Sequence, residues 1–329
     1  MNRLSPVEAV MARAAGSIAS GLGPGGRGLL ILIYHRVLET PDPLRRRTVH
    51  AAEFASQMDL LAQCFNVLPL PEALVRLQSR SLPSRAVSVT FDDGYADNLL
   101  VALPIMRARG VHATVFIATG YLDGGIMFND AITEAMRAAP ARFDLSDFGL
   151  GVLHLPDHEA RRRGISRLVG ELKYRPANER RALATEILER TGIARPPHLM
   201  LTTPQVRQLR DAGVQIGAHT ATHPILSRLG PAEARDDIAH GKTVLEGILG
   251  DPVRLFAYPN GRPGEDYDAR HVAMVRELGF AAALSTSWGA AHSDSDRLQL
   301  PRVAPWDASA GRYAARLVRS YTQRAACVA

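Results

Sequence analysis

Short apolar runs separated by stretches of helical periodicity recur along most of the chain. Leu29 to Tyr34, Ala86 to Phe91, His112 to Ala118, Val214 to His219, Leu255 to Tyr258 and Phe280 to Ser285 are too short for helices. They are mostly apolar at successive positions, as strands buried on both faces are. Strands alternating with helices predict a parallel β/α architecture. The rhythm breaks from Tyr121 to Leu201. There Ala160 to Leu172 sets Ile165, Leu168, Val169 and Leu172 on one face, and Ala177 to Arg190 does the same with Leu183, Ile187 and Leu188. This predicts a helical, lid-like insertion. Punctuation supports the connecting helices: Thr203 as N-cap with Pro204 behind it, Gly213 and Gly110 past helix ends, and Asp130 as N-cap of a helix from Ala131. There is no internal repeat or low-complexity tract.

Composition fits an ordinary globular chain. The 329 residues, 46% hydrophobic and 22% charged, suit one α/β barrel with an insertion and exclude a disordered chain. The net charge of +6 includes the runs Arg45-Arg46-Arg47 and Arg161-Arg162-Arg163. Neither run is interleaved with aromatic residues, so they read as solvated basic faces and no nucleic-acid partner is expected. The two cysteines, Cys64 and Cys327, make no disulfide framework and no thiolate metal spacing. Glu8 and Arg13 interrupt the apolar stretch a secretory signal would need, and Leu29 to Tyr34 is too short to span a bilayer. These features predict a cytoplasmic protein, with peripheral attachment to the inner membrane face through the N-terminal helix and the arginines.

The chemistry lies at strand ends. Val87 to Phe91 runs into Asp92-Asp93-Gly94, and Val214 to Ala218 runs into His219-Thr220-Ala221-Thr222-His223-Pro224. In β/α folds the carboxyl ends of strands gather the catalytic groups. One carboxylate with two imidazoles suits a divalent metal, and the second carboxylate remains for proton transfer. A helical zincin is excluded because Thr220 replaces its glutamate and Pro224 biases His223 away from helix. A retaining glycosidase is a poor fit, since its two carboxylates flank the sugar from opposite sides. On its own Asp-Asp-Gly is good turn chemistry, and the partner histidines are what outweigh that reading.

Together, Thr90-Phe91-Asp92-Asp93-Gly94-Tyr95, His219 to Pro224 and Phe256-Ala257-Tyr258-Pro259-Asn260-Gly261 resemble the polysaccharide deacetylases of carbohydrate esterase family 4, the NodB-homology family. Tyr34-His35-Arg36-Val37 is similar to the exopolysaccharide and poly-N-acetylglucosamine deacetylase branch. The resemblance implies an α/β fold, a deformed (β/α) barrel over 28–308 with the insertion at about 121–201. A helical extension over 1–27 and a C-terminal helix over 309–329 flank it. It also implies a metal-dependent de-N-acetylase acting on an N-acetylated polysaccharide, oligosaccharide or lipid-linked glycan. Asp93, His219 and His223 would bind one divalent metal, Zn²⁺ first among candidates. Asp92 would be the general base and the Asn260 backbone N–H an oxyanion donor.

Departures from the pattern define further expectations. Ala257 stands where the family carries the arginine that orients the base, and Arg302 is the candidate replacement by position. Asn260 stands where a tyrosine is usual. Pro301 replaces the histidine that protonates the leaving amine, leaving His35 as first and His292 as second candidate for the acid. These gaps sustain an alternative: a catalytically impaired carbohydrate-binding or scaffold protein that keeps barrel and metal. Trp288 and Trp306 read as packing residues that could stack on a sugar if they line the groove.

Overall fold

A computed structural model describes residues 4–23, 26–194, 199–304, 307 and 309–328. The order is α1 (Pro6–Gly21), β1 (Leu29–Tyr34), α2 (Ala51–Cys64), β2 (Asn66–Val67), α3 (Leu70–Gln78), β3 (Ala86–Phe91), α4 (Leu103–Arg107) and β4 (Ala113–Ile117). Next come α5 (Phe128–Ala138), β5 (Arg142–Leu145), β6 (Gly151–His154), α6 (His158–Lys173) and α7 (Ala177–Glu189). The chain ends with α8 (Thr203–Asp211), β7 (Gln215–Ala218), α9 (Pro231–Leu249), β8 (Leu255–Ala257), α10 (Ala269–Glu277), β9 (Ala282–Leu284) and α11 (Ala310–Ser320).

All six expected strands form, some trimmed by a residue or two, and they pair in parallel in the order β1-β3-β4-β7-β8-β9. β2 lies beside the first residues of β3. After β9 the chain returns to the sheet, bridging Leu284 through Leu300 and Leu32 through Val303. That segment joins the two edge strands, so the sheet curls into a deformed (β/α) barrel. Strand alternation divides the apolar residues between two cores. Leu29 and Ile31 join Phe116, Ala257, Leu284 and Leu300 within the ring, where α3 adds Leu70, Ala73, Leu74 and Leu77. Leu30, Leu32 and Tyr34 face the helices, meeting Phe54, Met58 and Tyr313. A one-residue slip in β1 would exchange these faces, so packing fixes the register.

Residues 121–201 are not wholly helical, since β5 and β6 form an antiparallel hairpin beside α5, α6 and α7. The β5 stretch Arg142–Leu145 alternates exposed and buried residues over only four positions. These elements bury a separate core around Ile132, Met136, Leu153, Leu168, Leu172, Ile187 and Leu188. Two caps differ from expectation. Thr202, not Thr203, caps α8, because it forms a reciprocal capping box with Gln205. Asp130 does not cap a helix: α5 already begins at Phe128, which puts Asp130 inside its first turn. Among the described residues no helix is long and apolar enough to cross a membrane.

Candidate active site

The carboxyl ends of β3 and β7 meet at one cleft, lined by His35, Asp92, Asp93, His219, His223 and Asn260 among others. Backbone conformation brings the groups together. Asp93, Thr220, His223 and Asn260 have φ of +77°, +65°, +52° and +57°, and Gly94 follows at +86°. Each non-glycine residue held there costs on the order of 1–3 kcal/mol, so the fold spends stability on orienting this site. The reversal begins at Asp93 itself, one residue before Gly94, and lets adjacent carboxylates share the cleft.

Asp93 Oδ1 lies 3.5 Å from His219 Nε2 and 3.4 Å from His223 Nε2. Donors about 2.1 Å from a tetrahedral centre stand about 3.4 Å apart, so the spacing fits one cation. Two observations test the fit. Asp93 Oδ1 is buried with no hydrogen-bond partner among the described residues, although a buried carboxylate oxygen is costly to leave unmatched. His219 Nδ1 stands 2.7 Å from Ala257 O, which assigns the N–H to Nδ1 and leaves the Nε2 lone pair facing Asp93. These residues can hold a divalent metal.

The electrostatics agree with that assignment. Burial raises the Asp93 carboxyl, but the His219 and His223 rings outweigh it and hold the acid well below its ordinary value. Burial pushes His223 down to about 4, with the neighbouring His219 and Arg180 adding to the effect against the pull of Asp93, so its ring is neutral near pH 7. Burial lowers His219 too, but Asp92 and Asp93 carry it above its usual value. A metal bound there would compete with a proton.

Asp92 is held differently. Arg302 donates from Nη1 to Oδ1 and from Nη2 to Oδ2, both at 2.7 Å, and its Nε donates to Ser285 O at 2.9 Å. Arg302 is 1% exposed, and it reaches Asp92 because the segment bridging β9 and β1 carries it into the ring. Burial raises Asp92, yet the Arg302 and His219 charges bring it below the ordinary carboxylate range. Asp92 is therefore ionised, with Oδ2 3.9 Å from His219 Nε2.

The surrounding loops are tied down. Asp237 accepts from the N–H groups of Ala221 and Thr222 and from the Thr222 hydroxyl, fixing the turn between the histidines. Asn98 Nδ2 donates to His35 O at 2.9 Å, and Asp97 accepts from Arg36 and from Val37 N–H. Asp130, buried, accepts from the Tyr95 hydroxyl at 2.7 Å and pairs with Arg45 at 2.8 Å, a bracing role. Asn260 O accepts from the Thr286 hydroxyl, while no group among the described residues accepts its backbone N–H.

Not every expected residue gathers here. His292 packs against Gly23 and Gly28 beside the start of β1, because Ala291 bridges Leu29. The strand's length, about 17 Å, separates that end from the site, and His292 cannot be the acid. Trp288 lies against the core with Arg316 over its ring and does not line the cleft; Trp306 lies outside the described residues. Conversely, Lys173 and Arg180 line the cleft without having been expected. Arg180 shares a buried stripe with Ala184, Ile187 and Leu188, which packing shows and helical periodicity, counting a charged residue as solvent-facing, does not.

A family model described as "Polysaccharide deacetylase" matches residues 79–145 and 178–283, more than half of the chain. YxkH of Bacillus subtilis (strain 168), a protein assigned to the polysaccharide deacetylases, is 22% identical over 277 residues, spanning 84% of this chain and 70% of that one. The fold is similar to that of the Streptococcus pyogenes deacetylase PplD, solved in complex with acetate (TM-score 0.59, 18% identity, 89% of this chain and 98% of that one). It is also similar to IcaB from Ammonifex degensii (TM-score 0.58, 22% identity, 89% and 98%) and to the BpsB deacetylase domain from Bordetella bronchiseptica (TM-score 0.55, 16% identity, 86% and 97%).

Proposed function

Because the chain belongs to the polysaccharide deacetylase family, hydrolases that cleave the C–N bond of acetylated sugars, we propose a metal-dependent de-N-acetylase of an exopolysaccharide or cell-envelope glycan, lipid-linked precursors included. The observation that carries this is the unmatched Asp93 Oδ1 facing two imidazole nitrogens, beside a carboxylate clamped by Arg302. The branch assignment is supported by the Tyr34-His35-Arg36-Val37 run and by the likeness to IcaB and BpsB.

Asp93, His219 and His223 would hold the cation, with Zn²⁺ the first choice for a nitrogen-rich set. When bound, such an ion supplies Lewis acidity for an acetamide carbonyl and eases the ionisation of water. Asp92 takes the proton of the attacking water. Arg302 keeps both Asp92 oxygens in register while Oδ2 faces the cradle. The free Asn260 N–H donates to the carbonyl oxygen as it gains charge. His35, exposed at the cleft, delivers a proton to the departing amine, so acetate and a free amino sugar leave.

Acetate release from N-acetylglucosamine oligomers by Zn²⁺-loaded protein tests this. Asp92→Asn should lose about 10²- to 10⁴-fold in kcat while still binding metal. Asp93→Ala and His219→Ala should lose the metal itself. Wild-type protein without stoichiometric metal would overturn the proposal. Metal binding with no acetate from any glycan would favour the impaired scaffold, a reading that Arg302 weakens by supplying a guanidinium to Asp92. Peripheral membrane attachment is proposed on α1, which leaves Val7, Val10, Met11 and Ile18 exposed along one face. Met11→Glu should then reduce sedimentation with anionic vesicles.

A further inference from the structure

The wall of the cleft contributed by residues 121–201 contains a buried cation with no counter-ion among the described residues. Arg180 on α7 is 5% exposed. Its Nη1 donates to Lys173 O at 2.9 Å, its Nη2 to His223 O at 3.5 Å, and the guanidinium lies 4.5 Å from the Phe128 ring centroid. Among the described residues no carboxylate oxygen comes within 4.0 Å of it. Three more-exposed arginines of the same region are matched, Arg163 with Glu159, Arg167 with Glu171 and Arg190 with Asp147. Burial pulls the Arg180 guanidinium down from its ordinary value, yet arginine stays charged at any physiological pH. A buried charge is costly unless something pairs with it.

The surroundings point to a ligand as that partner. Lys173 and Arg180 line both the metal cradle and an adjoining cavity of about 570 Å³. Arg175, Arg181 and Arg228 add to the second cavity, and none of the five has a carboxylate within ion-pair distance among the described residues. The cavity's acids are Glu233 and Asp237, and both Asp237 oxygens are already committed to the histidine loop. A cationic space therefore opens directly beside the place where an acetamide would react.

Resting on the deacetylase reading, we propose that Arg180 and Lys173 form an anion subsite, and that the substrate is an N-acetylated glycan bearing a phosphoryl ester or a carboxylate near the scissile acetamide. A guanidinium fork pairs with two oxygens of either group, which a neutral chain of N-acetylated sugars cannot offer. A terminal phosphate, as on a lipid-linked or nucleotide-linked precursor, and a uronic acid would each satisfy it.

Equilibrium binding of N-acetylglucosamine, N-acetylglucosamine 1-phosphate and an N-acetylglucosamine–glucuronic acid disaccharide to the whole protein separates these cases. At least one charged ligand should bind about tenfold or more tightly than the neutral sugar, and the preferred one identifies phosphoryl or carboxylate. Arg180→Met should remove most of that preference, and Arg180→Lys should keep part of it. Should Arg180→Met fail to fold, Lys173→Met and the weakening of the preference by salt carry the test. Equal binding of all three ligands by wild-type protein overturns the subsite, as does an equal loss for charged and neutral ligands in Arg180→Met. A charge preference without acetate release from any glycan would instead strike the deacetylase reading and leave the subsite standing.

Discussion

Arg302 and Asp92 are each almost fully buried, so their pairing ties stability to the proposed general base at a single contact. Arg302→Met leaves a carboxylate in the ring without its counter-ion, which should cost about 3–5 kcal/mol in unfolding free energy, measured by denaturant titration. Arg302→Lys restores charge but not the two-pronged geometry; it should recover much of the stability and less of the acetate release. Equal recovery of both would show that charge alone suffices. The grouping of Asp93, His219 and His223, the proposed metal ligands, was legible in sequence because these residues follow apolar runs that end at one edge of the sheet. Arg302 was legible only by position, since its contact with Asp92 spans 210 residues and depends on how the ring closes. Arg180 was not legible at all, because helical periodicity counts a charged residue as solvent-facing, and only packing shows that this one is buried.

At the scale of elements, α9 holds the histidine loop through close backbone approach as well as through Asp237. Gly241 on α9 lies so close to that loop that a β-carbon there would stand 2.5 Å from Thr220 C and 2.6 Å from Thr220 O. Backbone cannot yield as a side-chain tip can. Gly241→Ala should therefore cost about 1–3 kcal/mol and weaken metal binding, read by thermal unfolding with and without Zn²⁺. At α10 the cap is electrostatic. Arg270 and His271 hold the Asp268 carboxyl down to about 2, from an ordinary value near 4. A depressed acid stabilises the fold above its unfolded-state pKa, and that contribution fades as pH falls through the folded-state value. Asp268→Asn should thus be less stable at pH 7 by under about 1 kcal/mol, after screening of a partly exposed site, with the gap closing between about pH 4 and pH 2. Helix positions were readable to within a few residues, and Gly110 and Gly213 do follow helix ends at positive φ, whereas the N-caps were not readable: Thr202 and Thr203 are chemically alike, and only the reciprocal bond with Gln205 separates them. The β5–β6 hairpin escaped because four-residue strands carry too few alternations to outweigh helical neighbours.

Across the whole molecule, the ligands come from two strands separated by the entire 121–201 segment, Asp93 following β3 and the histidines following β7. A cation there would cross-link ends that the sheet connects only through β4, without touching the separate core around Leu168 and Ile187. Metal that binds only the folded state should stabilise it by about 2.7 kcal/mol at a free concentration one hundred times its Kd. The stabilisation should not be uniform. Amide exchange should slow most at the ends of β3, β4 and β7 on Zn²⁺ addition, while the amides of the β5–β6 hairpin and of the first turns of α6 change little, since their packing does not pass through the cradle. His219→Ala should abolish the slowing, and Asp92→Asn, which keeps all three ligands, should preserve it. Uniform protection in both regions would mean that the 121–201 segment and the barrel open as one unit, and that the metal stabilises the molecule globally rather than clamping two strand ends.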